Sequence, residues 1–458
     1  MADQLRRTAM SCAGDPNVST PHLDRLAQEG VRFQNACVSY PVCVPSRFTF
    51  MTGESASTRL VPTIGWRMSP AERTIAHELG AAGYETVYLG KWHLYGAHPN
   101  SGPLRRRIGR TYIPRAYRGG FERWRGFEFR NDPFDTYYFV DDDPAPRRLD
   151  AYQTDGLFDL AMRFLRAERD RARPFFLVLS VEPPHPPLTA PEAYLERWRG
   201  RELTVSPNWV RPNRARAGRG TETPTGGAAD PLADLRTYYA MIENLDDNVG
   251  RLTEFLTGEG LRDTTAVVVL SDHGDLQGSH GLSGKQHPYE ESIGVPFIVS
   301  LPAGGIGDGR VLDVPTCTED WFPTLRGLAG LAPDPSKPGA DLTPLLRGER
   351  ERLDRPGIKL ELVAELRAGA PFYDITWRGF RTQRHKYTVR GGATGGEPWQ
   401  LFDLQKDPYE LRNLVGDPDS RAVAAELHGF LRAALASTDD DYTLRPAYGH
   451  PGYRLWID

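Results

Sequence analysis

Four short apolar runs constrain this chain more than any other feature. Glu85 to Leu89, Pro174 to Val181, Thr265 to Leu270 and Val295 to Leu301 are rich in β-branched, leucine and aromatic residues. They are largely continuous rather than alternating, the pattern of strands buried on both faces. Helical patterns separate them: Ala71 to Ala82, Gly156 to Arg169, Leu232 to Leu256 and Glu319 to Leu328. Strands alternating with helices predict an α/β domain with a mostly parallel central sheet flanked by helices. A further helix opens at Thr20-Pro21, where Thr20 can cap and Pro21 suits the first turn, and stops at Gly30. Val31 to Tyr40 then reads as extended chain.

After about Arg355 the pattern changes. Strand-like runs at Lys359 to Glu365, Phe372 to Trp377 and Tyr387 to Arg390 precede a last helix, Arg421 to Ala436. A chain of 458 residues is too long for one small core. We therefore expect a large α/β domain over residues 1–355 and a smaller α+β domain with an antiparallel sheet over 356–458. Asn100 to Arg148 reads as an irregular excursion near the site mouth, and Arg201 to Asp230 as a long surface loop.

Composition excludes several classes. The formal net charge is −4, which marks no nucleic-acid partner. No apolar run reaches the roughly 18 to 20 residues of a membrane helix, so no membrane partner is expected. The four cysteines, Cys12, Cys37, Cys43 and Cys317, form no C-x-x-C pair and suit neither a zinc ribbon nor a disulfide framework. With no signal peptide at the start, the reading is a reduced, cytoplasmic protein.

Sites in open α/β sheets form at the carboxyl ends of the strands. Val267 to Leu270 runs into Ser271-Asp272-His273-Gly274-Asp275. Glu85 to Leu89 runs into Gly90-Lys91-Trp92-His93, and Phe175 to Val181 into Glu182-Pro183-Pro184-His185-Pro186. The extended segment after Val31 ends in Pro41-Val42-Cys43-Val44-Pro45-Ser46-Arg47. Taken singly, each has a plain reading: a lone cysteine is usually a small buried hydrophobe, and a histidine among prolines a satisfied loop residue. Four such loops at one sheet edge make a site.

These residues resemble the sulfatase family, of the formylglycine-dependent, alkaline-phosphatase-like superfamily. Cys43-Val44-Pro45-Ser46-Arg47 with Met51-Thr52-Gly53 matches the signature C-x-P-S-R and its trailing T-G. Gly83 to Thr86, running on to Gly90-Lys91-Trp92-His93, resembles the second signature. Asp272-His273-Gly274, Gly278-Ser279-His280-Gly281, Lys285 and Tyr289 to Pro296 follow in the family's order. Leu401 to Leu404, Asp407-Pro408, Glu410 and Asn413-Leu414 resemble its C-terminal block.

The resemblance implies hydrolysis of a small-molecule or saccharide sulfate ester, as in arylsulfatases. Cys43 would be oxidised to formylglycine by a formylglycine-generating enzyme, because a plain serine would become a stable sulfate ester. The aldehyde hydrate offers one hydroxyl to attack sulfur and a second to expel sulfate. Arg47 would hold the hydrate, Lys91 and Lys285 clamp sulfate oxygens, His185 protonate the leaving oxygen and His93 act on the hydrate. One divalent metal would be held by Asp3, Gln4, Cys43, Asp272 and His273. Calcium is the usual family metal, and the imidazole of His273 moves the choice toward manganese. His280 is left open between support for its neighbours and direct participation.

Two alternatives stand beside this reading. Asp3-Gln4 with Asp272-His273 also resembles a phosphonate monoester or phosphodiester hydrolase of the same superfamily. The other is a degenerate, non-catalytic binder of sulfated ligands. Family members begin with a buried strand before the first metal ligands, whereas only Met1-Ala2 precede Asp3 here. The first strand is therefore expected to be truncated, Asp3 to sit on a frayed terminus, and the true start to lie upstream.

Overall fold

The computed structural model describes residues 1–96, 110–211, 230–365, 372, 376–392 and 395–440. Thirteen strands are defined among them. In chain order they are β1 (Val31–Phe33), β2 (Glu85–Lys91), β3 (Arg123–Phe127), β4 (Tyr137–Val140), β5 (Arg147–Arg148), β6 (Phe175–Ser180) and β7 (Val267–Leu270). Then come β8 (Phe297–Ser300), β9 (Arg310–Leu312), β10 (Gly357–Leu362), β11 (Thr376–Thr382), β12 (His385–Gly392) and β13 (Gly395–Asp403).

The first nine strands form two sheets, ordered β5-β4-β3-β2-β6 and β7-β8-β1-β9. The ladders are mixed. β2 is parallel to β3 and β6, and β1 to β9; the pairs β3–β4, β4–β5, β7–β8 and β1–β8 are antiparallel. The two-residue period of a strand divides the apolar residues between two cores. Val87, Leu89, Leu179 and Ile298 pack with Leu23 and Met241 on one side, while Tyr88, Val178, Phe297 and Val299 pack with Phe48 and Trp321 on the other. Helix α1 (Pro21–Gln28) and helix Ala233–Gly258 cover the first side; α2 (Cys43–Thr52) and helix Trp321–Leu328 cover the second.

β10 to β13 make an antiparallel sheet in sequence order. One of its faces holds Phe380, Tyr387, Val389 and Leu401 against Leu427 and Leu431 of helix Arg421–Ser437. Its other face sends Ile358, Leu360, Leu362 and Trp377 into the core that contains Phe48 and Trp321. The buried Arg378 closes this unit through a forked pair with Asp440, at 2.6 and 3.0 Å.

Three expectations need correction. The stretch 110–148 is not irregular, since it supplies β3, β4 and β5 to the sheet beside β2. Residues 100–109 of that stretch, 212–229 of the loop at Arg201 to Asp230, 373–375 of the strand-like run at Phe372 to Trp377 and the terminal 441–458 lie outside the described residues. The segment that carries Cys43 is a helix from Cys43 onward, not extended chain. Asp3 is not frayed, because it is fully buried.

Met1 to Asp3 stitch the two sheets together. The Met1 amine donates to Leu179 O at 2.8 Å, Val181 N donates to Met1 O, Ala2 N to Leu270 O and Asp272 N to Ala2 O. Burial, then the charge of Arg47, pushes the Met1 amine down to about 5, so at neutral pH it is an uncharged donor, much as a peptide N–H would be. Behind it, an apolar cavity of about 520 Å³ runs between β6 and β7, lined among others by Leu177, Leu179, Val268 and Leu270. Among the described residues no ladder joins β6 to β7. A strand-length apolar segment of about six residues placed ahead of Met1 would fit this slot and pair with both edges. Each buried backbone group so satisfied removes a cost of about 1 to 3 kcal/mol. Adding such a segment is therefore expected to raise Tm and slow amide exchange in β6 and β7; an unchanged Tm would show that the slot needs no strand.

Candidate active site

The carboxyl ends of β2, β6 and β7, the N-terminal residues and the first turn of α2 meet at one point. Cys43 is the first residue of α2, after Val42 in extended conformation. Arg47 follows four residues on, and so stands on the same face of the helix one turn below. The whole of α2 is buried. Gly53, with φ of 70°, ends it where any Cβ would strike Phe322.

Four potential metal-ligand atoms, one each from Asp3, Cys43, Asp272 and His273, lie within 4.8 Å of one another. Cys43 Sγ is 3.0 Å from His273 Nε2 and 4.0 Å from Asp3 Oδ1. His273 Nδ1 faces Gly274 O at 3.0 Å, so Nδ1 carries a proton and Nε2 is the nitrogen turned toward Cys43. Arg47 Nε donates to Asp272 Oδ2 at 2.7 Å and its Nη2 to Asp3 Oδ2 at 3.4 Å. The other guanidinium nitrogen reaches Lys91 O and Ser180 Oγ, both at 2.9 Å. Lys91 Nζ lies 2.6 Å from Asp3 Oδ2.

The opposite wall is built by His185 and Lys285. Lys285 Nζ is 3.1 Å from His185 Nε2 and donates to Gln4 Oε1 at 2.7 Å. His185 Nδ1 faces Pro186 O at 2.6 Å, leaving Nε2 as the working nitrogen. His93 is buried, with a φ of 58° and its ring 4.9 Å from Phe129; neither ring nitrogen has a hydrogen-bond partner of ordinary geometry. The group its imidazole interacts with is the Cys43 sulfur.

The electrostatics suit an anionic nucleophile. Burial alone would raise the Cys43 thiol, yet Lys285, His273 and His185 together hold it well below its usual range. Burial, reinforced by Lys91, pushes His93 down to about 3, so it is neutral. Burial opposes ionisation of Asp3, but Lys91, His185 and Arg47 hold it below the usual carboxylate range. Asp272 is raised by burial and by Asp3.

Every residue assigned a site role from sequence is thus placed in one cluster: Asp3, Gln4, Cys43, Arg47, Lys91, His93, His185, Asp272, His273 and Lys285. Gln4 departs from the rest in that its amide nitrogen is committed to Asp275 Oδ2 at 2.6 Å. Sequence reasoning passed over Asp275, Ser180 and Glu182. Glu182 accepts from the backbone of Arg130 and Asn131 and from Gln153, and so ties the loop after β3 to the site. Asp275 and Glu182 both stand in polar runs directly after buried strands, which was the available signal. His280 lies apart, against Asn208 and stacked on Tyr289.

None of the four cysteines is paired. Among the described residues no helix is long and apolar enough to cross a membrane.

Comparison with known proteins agrees with this geometry. The Sulfatase family model matches residues 1–331, and that of N-sulphoglucosamine sulphohydrolase, C-terminal, matches 278–436. The chain is 31% identical to an ulvan-active sulfatase of Formosa agariphila over 98% of this chain and 82% of that one. It is 28% identical to an arylsulfatase of Clostridium perfringens, covering 97% and 95%. The crystal structure of a phosphonate monoester hydrolase of Agrobacterium radiobacter superposes with a TM-score of 0.74 at 25% identity, covering 95% of this chain and 94% of that one. The fold is alkaline-phosphatase-like, with mixed sheets flanked by helices and a smaller C-terminal part. With buried cations and acids gathered around Cys43 and the family match spanning most of its length, this chain belongs to the sulfatase family and is a sulfuric ester hydrolase.

Proposed function

We propose that this sulfatase cleaves a sulfate monoester with an aldehyde made from Cys43 as nucleophile and one divalent cation beside it. The observation that carries this reading is the convergence of Asp3, Cys43, Asp272 and His273 within 4.8 Å, ringed by Arg47, Lys91 and Lys285. Two carboxylates and an imidazole, with the Gln4 amide of the expected ligand set next in the chain to Asp3, are a fitting donor set for such a cation, and Cys43 Sγ stands where one oxygen of the aldehyde hydrate would be. The carboxylate oxygens suit calcium; His273 Nε2 suits manganese. When bound, the cation would acidify the hydrate and polarise a sulfate oxygen.

The chain's own residues account for the rest. Arg47 neutralises Asp3 and Asp272 and caps the floor of the site. Lys91 and Lys285 approach from opposite sides and would hold sulfate oxygens. His185 presents Nε2 next to Lys285, where a leaving oxygen would lie, and in its doubly protonated form would donate the proton there. His93, neutral and without a strong partner, would take a proton from the hydrate. Cys43 is 1% exposed, so a formylglycine-generating enzyme would have to reach it before the fold closes. Similarity to a sulfatase active on ulvan supports a sulfated saccharide as the substrate class.

A second reading has a specific basis. Asp3-Gln4 with Asp272-His273 resembles that branch of the superfamily, and a phosphonate monoester hydrolase has this fold at 25% identity. Turnover of an aryl sulfate against an aryl phosphonate monoester separates the two: the larger kcat/KM names the reaction.

Mass measurement of the peptide containing Cys43 is expected to show the aldehyde in protein made alongside the maturation enzyme. Cys43→Ala should abolish turnover with little loss of stability, since one small side chain is removed. Cys43→Ser should turn over at most once and retain sulfate covalently. Wild-type kcat in either variant would falsify the covalent route. Asp272→Ala should lose the cation and activity together, and elemental analysis showing full metal content in that variant would remove Asp272 from the ligand set.

A further inference from the structure

Asp275 is buried just beyond the site, two residues after His273, and its hydrogen bonds run to groups that hold the site's other wall. Its Oδ2 accepts from Gln4 Nε2 at 2.6 Å and from Gln277 Nε2 at 2.8 Å. Its Oδ1 accepts from the backbone N–H of Gln277 and of Gly284, both at 3.1 Å. Gly284 has a φ of 75° and immediately precedes Lys285. The loop between is closed on itself by Leu276 N to Gly284 O and Gly278 N to Leu282 O, both at 2.8 Å. Gly274 makes the turn possible, because a Cβ there would lie 2.0 Å from Glu291 O.

An amide side chain can present either end. Both oxygens of Asp275 accept from N–H groups, so the end of Gln4 that faces it is the NH₂. The amide oxygen is then turned the other way, onto Lys285 Nζ at 2.7 Å, and an ammonium only donates. The chain continues from Lys285 to His185 Nε2 at 3.1 Å. Each link demands the orientation of the one before it.

We infer that Asp275 is a positioning residue: it locks the Gln4 amide with its oxygen toward Lys285 and, through Gly284, fixes the loop that delivers Lys285 to the site. The inference rests on Lys285 acting as a sulfate clamp, as proposed above. Turning the Gln4 amide over would put an NH₂ against the ammonium, and Lys285 would swing away from both Gln4 and His185.

Asp275→Asn tests this with almost no change in shape. The substituted side chain keeps one oxygen for the backbone N–H groups of Gln277 and Gly284, and so offers its own NH₂ to Gln4. Gln4 then has to reverse. The kcat/KM for an aryl sulfate is expected to fall about 10- to 100-fold, chiefly through KM. The inhibition constant of inorganic sulfate should rise in parallel. Adding Gln4→Glu to Asp275→Asn restores a group that accepts from both neighbours while keeping an oxygen for the cation, and at equal metal content by elemental analysis it should recover part of the loss. A merely structural Asp275 would not respond to that second change. Asp275→Asn with unchanged kcat/KM and sulfate inhibition, or a double variant no better than the single one, overturns the assignment.

Thermal melting reads the same contact without turnover. Gln4→Glu alone sets two carboxylates against each other and should lower Tm, whereas in the Asp275→Asn background the same substitution should not. Additive Tm changes would overturn the inference. A wild type that hydrolyses neither aryl nor saccharide sulfate would instead refute the proposed reaction, and the melting comparison would still decide what Asp275 does.

Discussion

The guanidinium of Arg47 lies between two carboxylates, those of Asp3 and Asp272, where no solvent reaches. A pair of buried, adjacent acids is among the most costly arrangements a fold can hold, and leaving such a charge without its partner costs about 3 to 5 kcal/mol. Arg47 and Lys91 supply that partner, and Lys285 extends the positive wall toward Gln4. The arrangement ties together pieces that are distant in sequence: the N-terminus, the first turn of α2, the end of β2 and the loop after β7. Once those ends are brought together, the place of Cys43 follows, since it stands one helical turn above Arg47 on a helix buried on all sides.

The same geometry explains why this region can host charge chemistry. Dry surroundings strengthen every interaction between the cations and an arriving anion. They also raise the cost of error, so each polar group is held by a second one behind it. Asp275 stands behind Gln4, Gly274 O behind His273, Pro186 O behind His185, and Gln153 behind Glu182. Between β6 and β7, which share no ladder among the described residues, the backbone of Met1 and Ala2 and the guanidinium of Arg47 make the connection.

Much of this was legible in the chain. β2, β6, β7 and β8 appear as apolar runs because strands buried on both faces need apolar residues at every position. The polar runs that follow them mark the ends at which a site forms. α2 was not legible. Its sequence, Cys43 to Thr52, contains Pro45, two phenylalanines and two threonines, and none of its residues faces water. A helix enclosed on every side has no polar stripe, so it shows no period to read. β3 to β5 were hidden for the opposite reason. Arg123-Trp124-Arg125 and Arg147-Arg148 are strongly polar, and they become strands only because β2 offers an edge to pair with.

The sequence by itself determined the alternation of strands and helices, the order of the signatures and the identity of the reactive residue types, because burial and chemistry each demand particular side chains at particular spacings. Only the tertiary structure decided which of those residues share a point in space and which way each faces. The reversal-sensitive amide of Gln4 depends on Asp275, 271 residues away in the chain. The shielding of Asp3, at what looks like a loose end, depends on Arg47 and Lys91 from two other elements. The direction of His273 Nε2 has meaning only because Cys43 faces it from the start of α2. Such orientations are set by the neighbour across the site and not by the neighbour along the chain, and so no local pattern records them.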